Sequence, residues 1–378
     1  MGGRRRTAAP RRCLPLPAAV RGNFSALFGL AFALAFTNSP PPASTVFMQT
    51  AVRLRAPSLP CHGSGRRSRR CSAAAGVVAF PACVPAEISE VQEPAALAMV
   101  AAIEQLPVKL GGLTLQTAIV RTRAAGAGSS STTPLLLLHG FDSSLLEFRR
   151  LFPLLDAAGV GTWAVDLLGC GFTGLQGTEE VTPELRRAHL YALWKEQFRG
   201  VPVDLLGASL GGACAIDFAV HHPEAVRRLV LVDAQAFVEG TPQLPGPLAD
   251  AGISVLRAVW LRQLANKLAY FDKARFATED AMRIGRLHTH SADWKQGMAS
   301  FMASGGYRVS ARVKDVAART LVVWGAEDEI LEPTNAERFA NTLPNCDSVV
   351  HIPSCGHVAH LEAAAALRDA ILRFTACI

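Results

Sequence analysis

The chain has 378 residues, half of them apolar, so it can bury a large hydrophobic core and does not have the composition of a disordered protein. Its net charge of +7 misleads, because residues 1–86 contain twelve Arg and no acidic residue. Without those twelve, the 38 basic residues fall to 26 against 31 acidic ones, and this acidic balance argues against nucleic-acid binding.

Residues 1–86 resemble an organelle-targeting peptide in composition, being rich in Arg, Ser and Ala and free of acidic side chains. The apolar run over 24–36 has the length of a secretory signal core, which leaves secretion open as the alternative. A second Arg-rich stretch begins at Met48 and could direct import by itself, so the true start is Met1 or Met48. We expect a plastid (chloroplast) location and removal of this segment.

The nine Cys residues include no C-x-x-C pair and have no regular spacing. This pattern favours free thiols in a reducing compartment over a disulfide framework or a zinc site. No G-x-x-x-x-G-K-[ST] motif is present, and His139 and Asp142 lack the spacing of metal ligands. We therefore expect no cofactor and no metal.

From residue 106 the chain alternates short apolar runs with amphipathic stretches, the pattern of strands and crossover helices in a parallel sheet. An opening hairpin is predicted over 108–121, turning at Gly111-Gly112, and a Gly/Ser/Thr loop over 124–133. Further strands are predicted at 135–138, 162–165, 203–206, 229–232, 321–324 and 348–352. Helices are predicted at 145–158, 182–199 with Thr182 as N-cap and Pro183 at the first position, 210–221, 335–342 and 357–374.

The regular alternation stops between about residues 240 and 316, where the pattern is helical and rich in aromatic residues. The predicted fold class is therefore α/β, with a mostly parallel central sheet flanked by helices and a helical cap inserted after the sixth strand. The predicted domain organisation is a targeting segment at 1–86, a core formed by 87–240 and 317–378, and the cap at 241–316.

Residues 241–315 contain eleven basic and six acidic side chains, a local excess of positive charge. Together with the Met and aromatic residues of this stretch, the charge suits an apolar substrate drawn from an anionic membrane surface. The same composition also fits a solvated helical cap over an ordinary core.

A candidate nucleophile lies between a predicted strand and a predicted helix, in the G-x-S-x-G sequence at 207–211. This turn lifts Ser209 above the edge of the sheet, and its flanking Gly residues allow strand and helix to approach closely. The N-terminus of the following helix carries a partial positive charge that would face a forming oxyanion. The context makes Ser209 the predicted nucleophile.

A Ser hydroxyl needs a base to take its proton and an acid to orient that base, and in this arrangement the chain order is Ser, acid, His. Asp328 follows the predicted strand at 321–324, and His357 follows the last predicted strand. Asp233, after the strand at 229–232, is the rival acid. The rival bases are His351 and His360.

Stabilisation of an oxyanion requires two backbone N–H donors, one after the nucleophile and one after the first parallel strand. The candidates are Leu210 and Phe141, the latter in the sequence His139-Gly140-Phe141.

The segments at 137–141, 166–171, 207–212, 324–328 and 356–357, taken together, resemble the α/β-hydrolase superfamily over about residues 106–374. Within it, the stretches at 139–144 and 284–288 resemble plant plastid hydrolases, including those that cleave phytyl esters of chlorophyll or its relatives and supply tocopherol synthesis. The resemblance implies the α/β-hydrolase fold and a Ser209, Asp328 and His357 triad. Cys170 stands where relatives often have an aromatic residue.

Ester hydrolysis through an acyl-enzyme is the expected activity, since an Asp in place of Ser209 would have indicated dehalogenase or epoxide-hydrolase chemistry. We expect a hydrophobic isoprenoid, phytyl or lipid ester as substrate, peripheral contact with the plastid membrane, and no nucleic-acid partner. Two alternatives remain open: an acyltransferase or thioesterase, for which residues 288–293 supply an H-x-x-x-x-D pattern, and a non-catalytic ligand-binding receptor.

Overall fold

A computed structural model describes residues 80–123, 133–241 and 252–376 of the chain. The targeting segment up to residue 79 and the loop expected at 124–133, apart from its last residue, lie outside the described residues. Within the described part, no helix is both long and apolar enough to cross a membrane.

The centre of the molecule is an eight-stranded sheet with the order β1-β2-β4-β3-β5-β6-β7-β8. Strands β1 and β2 form the predicted hairpin, β2 pairs with β4 antiparallel, and all later pairings are parallel. The fold class predicted from the sequence is confirmed. The strands are β1 Glu104–Leu110, β2 Leu113–Arg121, β3 Leu135–Leu138, β4 Thr162–Val165, β5 Val203–Ala208, β6 Val226–Val232, β7 Arg319–Gly325 and β8 Cys346–Ile352.

Both faces of the sheet are buried, because successive side chains along each strand point to opposite sides. Leu136 and Leu138 of β3 belong to one apolar cluster, while Leu135 and Leu137 belong to another on the opposite face. This double burial explains why the parallel strands appear in the sequence as uninterrupted apolar runs rather than as alternating patterns.

Helices cover the two faces of the sheet and form the segment between β6 and β7. Thr182 caps α3 as predicted, with its side chain accepting a hydrogen bond from the Leu185 N–H. The helices are α1 Pro94–Ala101, α2 Phe152–Ala157, α3 Pro183–Phe198, α4 Leu210–His221, α5 Val259–Ala269, α6 Lys273–Phe276, α7 Glu279–Arg286, α8 Trp294–Ala303, α9 Asn335–Thr342, α10 Ala359–Glu362 and α11 Ala364–Ala376.

Two predicted helices differ from the structure. The helix expected over 145–158 is a 3-10 turn at Leu145–Phe148 followed by α2, since Pro153 lacks an N–H and clashes with the preceding turn of a continuous helix. The helix expected over 357–374 begins only at Ala359 and is divided into α10 and α11. His357 therefore lies in the preceding loop, where its N–H donates to the Ala269 carbonyl.

The described chain begins inside the segment that was predicted to be removed. Phe80, Cys83 and Val84 pack against the apolar cluster on one face of the sheet. Further along, the backbone N–H groups of Gln92 and Glu93 donate to the Asp280 carboxylate of α7. The N-terminal segment thus contacts both the sheet core and the helical segment between β6 and β7, and the packed part of the chain extends to residue 80 at least.

Candidate active site

Ser209 lies at the sharp turn between β5 and α4. Its backbone has φ 50° and ψ −120°, a left-handed conformation that is costly for a residue with a side chain. The Ser209 N–H donates to the Val232 carbonyl, and the Ser209 carbonyl accepts from the Gln235 N–H. These backbone bonds to the end of β6 and to the loop after it hold the strained turn in place.

The glycines around Ser209 are required by backbone contacts rather than by chain flexibility. A Cβ on Gly207 would lie 2.3 Å from the Gly211 carbonyl oxygen, and a Cβ on Gly211 would lie 2.2 Å from the Leu138 carbonyl oxygen. Both distances are far inside van der Waals contact. The G-x-S-x-G pattern is therefore a packing requirement of the turn that presents Ser209.

The structure brings Ser209, His357 and Asp328 together in one hydrogen-bonded chain. His357 Nε2 lies 2.9 Å from Ser209 Oγ, and His357 Nδ1 lies 2.8 Å from Asp328 Oδ2. The other Asp328 oxygen accepts from the N–H groups of Ile330 and Leu331 at 2.7 and 3.0 Å. A carboxylate fixed in this way can hold the imidazole in one tautomer, with Nε2 free to accept the Ser proton.

The electrostatic surroundings of His357 favour its protonated form. Burial alone would lower the pKa of His357, but the adjacent Asp328 carboxylate outweighs burial, and the pKa is raised to about 9. Asp233 and Glu147 add smaller contributions in the same direction. The site can therefore stabilise the imidazolium that forms when His357 takes a proton.

The rival residues make other contacts. Asp233 is fully buried and accepts a hydrogen bond from the Gly325 N–H, while burial and the neighbouring Asp328 raise its pKa well above the usual range. His351 is paired with Glu337 on the surface, and His360 lies 3.1 Å from Glu147. Neither His is hydrogen-bonded to Ser209.

A cavity of about 250 Å³ opens beside Ser209 and His357. Its wall is largely apolar and is contributed by the cap helices α5 and α7 together with the loop after β3. Phe141 lines this cavity, and a Cβ on its neighbour Gly140 would lie 3.2 Å from the Ser209 Cβ. The apolar lining residues are Phe141, Leu256, Leu261, Ala265, Leu268, Ala269, Ala281, Met282 and Ile330.

The loop after β3 places one predicted oxyanion donor, Phe141, at the cavity wall, and the other, Leu210, begins α4 directly after Ser209. The first N–H groups of a helix have no acceptor within the helix, so the start of α4 offers donors beside Ser209. His139 is wholly buried and accepts from the Leu167 N–H, and burial lowers its pKa to about 4. His139 thus connects the loop after β3 to the loop after β4.

The sequence did not predict the roles of two carboxylates close to Phe141 in the chain. Glu147 accepts from the Gly140 N–H at 2.7 Å, and although burial opposes ionisation, His360 lowers the Glu147 pKa to about 2. Asp142, with φ 47°, receives hydrogen bonds from the cap. A charged residue within the buried run Leu145–Phe148 was the available sequence signal for Glu147.

The H-x-x-x-x-D pattern at 288–293 is part of the contact between the cap and the core. His288 Nε2 lies 3.0 Å from Asp142 Oδ1, and Asp293 accepts from the Leu175 N–H at 2.9 Å. Both residues therefore connect the cap to loops of the core, and neither is hydrogen-bonded to Ser209. Among the described residues, no group of three or more His, Cys, Asp or Glu side chains could hold a metal ion.

Comparisons with known proteins agree with this fold. Residues 133–364 match a family model described as the alpha/beta hydrolase fold. The alpha/beta hydrolase domain-containing protein VTE7 of Arabidopsis thaliana is 35% identical over 328 residues, covering 86% of this chain and 92% of that protein. Lipase 1 of Psychrobacter immobilis is 26% identical over 62% of this chain and 74% of its own length.

Solved structures show the same likeness in three dimensions. A probable hydrolytic enzyme from Pseudomonas aeruginosa superposes with a TM-score of 0.61 at 18% identity, covering 72% of this chain and 93% of that one. At this identity the similarity concerns the fold alone.

Proposed function

The chain belongs to the α/β-hydrolase fold family, and from that premise we propose that it is a serine hydrolase of carboxylic esters. The observation that supports this most strongly is the hydrogen-bonded chain from Ser209 through His357 to Asp328. Ser209 and His357 lie at the wall of an apolar cavity. Ser209 is the nucleophile, His357 the general base and Asp328 the residue that orients and stabilises the imidazolium.

The reaction proceeds in two halves. Ser209 Oγ attacks the ester carbonyl carbon while His357 Nε2 takes the hydroxyl proton, giving a tetrahedral intermediate whose oxyanion accepts from the N–H groups of Phe141 and Leu210. The ester C–O bond then breaks, and His357 returns the proton to the departing alcohol, leaving an acyl-enzyme on Ser209. Water, deprotonated by His357, attacks that acyl group, and the acid is released as Ser209 regains its proton.

The cavity supports the proposed substrate class. Among the described residues its lining is mostly apolar, and the charged side chains that reach it are Arg262 of the cap and Asp142 and Glu147 of the core. Ala265 of α5 both lines the cavity and is exposed, so a substrate longer than the cavity can extend out along α5. This geometry favours a long-chain lipid or isoprenoid ester, such as a phytyl ester. The acid-free leader and the plant relative support a plastid location.

Delivery of such a substrate is proposed to occur at an anionic lipid surface. Trp260, in the first turn of α5, and Phe271, two residues after the end of α5, are each 48% exposed, and α5 is a helix that lines the cavity. Lys267 and Arg275 are exposed on the same stretch and would complement lipid phosphates. Large aromatic side chains next to basic ones are typical of surfaces that insert shallowly into a bilayer.

Flotation with anionic and neutral vesicles tests this surface. The protein is expected to float with anionic vesicles, to dissociate at high salt, and to lose most of its binding in a Trp260→Ser, Phe271→Ser double variant. A Leu113→Ser variant is the matched control, because Leu113 is also exposed but lies in the β1–β2 hairpin. Equal flotation of all three proteins would contradict the proposal.

The function itself is tested by incubating purified protein with phytyl, long-chain and short-chain esters and identifying the products. We expect release of free acid and alcohol in multiple turnovers and loss of at least about 10³-fold in kcat for Ser209→Ala, whose fold should be unchanged. Unchanged turnover by Ser209→Ala would refute the assignment. Acyl transfer to an added alcohol in place of water, or tight binding without turnover, would contradict hydrolysis.

A further inference from the structure

The cap is joined to the loop after β3 through the carboxylate of Asp142. Trp294 Nε1 donates to Asp142 Oδ1 at 2.8 Å, His288 Nε2 lies 3.0 Å from the same oxygen, and an Arg262 guanidinium nitrogen is bonded to Oδ2. These three side chains come from α8, from the 3-10 turn Leu287–His290 and from α5. Asp142 is thus contacted by three separate elements of the cap.

The charges in this cluster are matched. Burial would raise the pKa of Asp142, but Arg262 and His288 outweigh burial and lower it to about 2. Burial lowers the pKa of His288, and its Nε2 acts as an N–H donor, because the Asp142 carboxylate oxygen beside it can only accept. A carboxylate and a guanidinium that compensate each other in a buried setting are held firmly, since separating them leaves a charge without a partner.

The contacts of Arg262 reach the backbone of the loop as well. Arg262 Nη1 donates to the Asp142 carbonyl at 3.2 Å, and Arg262 Nε donates to the Leu256 carbonyl at 2.7 Å. The residue before Asp142 is Phe141, and the residue before that, Gly140, is held from the core side by Glu147. The two residues that flank Phe141 are therefore held by buried carboxylates, Gly140 by Glu147 and Asp142 by its own side chain.

The helix that supplies Arg262 also touches the base. Near the end of α5, the Ala269 carbonyl accepts from the His357 N–H at 2.8 Å. A Cβ on Gly356 would lie 2.5 Å from that same carbonyl oxygen, so the helix and the His357 loop are in close contact. One cap helix thus contacts both sides of the reaction centre, the oxyanion loop through Arg262 and the base through Ala269.

We propose that Asp142 is a positioning residue that fixes the Phe141 N–H through its contacts with the cap, so that the oxyanion site is complete only when the cap is seated on the core. This inference rests on the proposed function. Its physical basis is that an oxyanion donor must be held close to its final position, because a displacement of about 1 Å can cost about 100-fold in rate. Asp142 itself need not touch the substrate.

The test compares Asp142→Asn with Asp293→Asn, which makes the same chemical change at another contact between cap and core. With a short soluble p-nitrophenyl ester, Asp142→Asn should lower kcat about 10- to 100-fold while KM changes less than about twofold. Asp293→Asn should keep both constants near the wild-type values. Concentrations of active enzyme are normalised by titration of Ser209, so that loss of folded protein does not enter the comparison.

A second readout follows the oxyanion directly. A trifluoromethyl ketone forms a hemiketal with the nucleophilic Ser, and its oxyanion occupies the same donors as the transition state. Its inhibition constant should rise for Asp142→Asn by about the factor by which kcat/KM falls. Trp294→Phe removes one donor to Asp142 and should show a smaller loss of the same kind, which keeps the proposal testable if Asp142→Asn folds poorly.

Arg262→Lys gives a further graded comparison, because Lys keeps the charge but cannot make the forked contact with both the carboxylate and the carbonyl of Asp142. Its kcat should lie between those of wild type and Asp142→Asn. The proposal is overturned if the Asp142→Asn and Trp294→Phe variants keep kcat and the ketone inhibition constant, or if Asp293→Asn loses as much as Asp142→Asn. Absence of turnover in wild type would instead contradict the proposed function.

Discussion

Ser209 combines a strained backbone with a hydrogen bond to a buried His. A left-handed φ of 50° at a residue with a side chain costs of order 1–3 kcal/mol. The two neighbouring carboxylates, Asp328 and Asp233, occupy different environments. Asp328 is oriented by two backbone N–H groups and faces His357, whereas Asp233 is fully buried with its pKa raised well above the usual range.

Substitution of the two acids should separate their roles. Asp328→Asn is expected to lower kcat by about 10⁴-fold, because an amide would favour the wrong imidazole tautomer. Asp233→Asn should keep kcat within about tenfold, since the Asp233 carboxyl group accepts from the Gly325 N–H and an amide oxygen can accept the same bond. Steady-state kinetics of both variants shows which carboxylate orients His357. A larger loss of kcat for Asp233→Asn than for Asp328→Asn would assign that role to Asp233.

The raised pKa of His357 predicts an alkaline pH profile. As the proposed base, His357 must be neutral to take a proton, so kcat/KM should fall as the pH drops below the folded-state pKa of about 9. The half-point should be well above the ordinary value of 6.5, and it should move down in Asp328→Asn, which lacks the charge that raises it. His351→Gln is the control, as His351 pairs with exposed Glu337. A wild-type half-point at 6.5 or below would contradict the electrostatic account.

At the level of elements, the site depends on how closely β5 and α4 approach each other. The contacts of Gly207 and Gly211 with backbone oxygens leave no room for a methyl group, and Gly212 would meet the Ala234 Cβ at 2.4 Å. A backbone neighbour cannot rotate away as a flexible side chain can. The turn is thus sensitive to single methyl groups.

Gly211→Ala is therefore expected to lower the free energy of unfolding by about 3 kcal/mol, through overpacking against the Leu138 carbonyl. Gly285→Ala is the matched control, because nothing lies within 4 Å of the added methyl and α7 gains a better helix former. It should leave stability unchanged or raise it slightly. Denaturant unfolding measures both, and equal stability of Gly211→Ala and wild type would contradict the packing argument.

Most elements of the sheet could be predicted because burial on both faces produces continuous apolar runs, as in Leu135–Leu138. The turn between β5 and α4 was predictable, because its packing requires a local Gly pattern around Ser209. The cap's contact with the core was not, because Asp142 and Arg262 are 120 residues apart and no local pattern connects them. Pro153 marks the break in the helix expected over 145–158, because its ring clashes with the preceding turn of a continuous helix and it has no N–H to donate.

At the level of the whole molecule, the cap and the N-terminal segment are both packed onto the sheet around the site. Glu93 is paired with Arg149 and Arg150, and the backbone before it is bonded to Asp280 of α7. The predicted boundary at residue 86 separates Phe80 from the core that it contacts. Removal of the leader is therefore expected to occur before Phe80.

A chain beginning at residue 80 should be more stable than one beginning at residue 87. Loss of the apolar contacts of Phe80 and Val84 is expected to lower the free energy of unfolding by about 1–3 kcal/mol. Phe80→Ala in the longer chain should reproduce much of this loss. That result would show that the loss comes from the Phe80 contacts and not from the shorter chain. Thermal unfolding compares the three proteins, and identical melting temperatures would show that the segment contributes nothing.

The central claim, that Ser209 is the nucleophile, is tested most directly by titrating the enzyme with a fluorophosphonate while following both residual ester hydrolysis and the modified peptide. Turnover should fall in proportion to labelling, reach zero at one adduct per chain, and the adduct should lie on Ser209. Full hydrolysis after complete labelling of Ser209, or an inactivating adduct on another residue, would contradict the account.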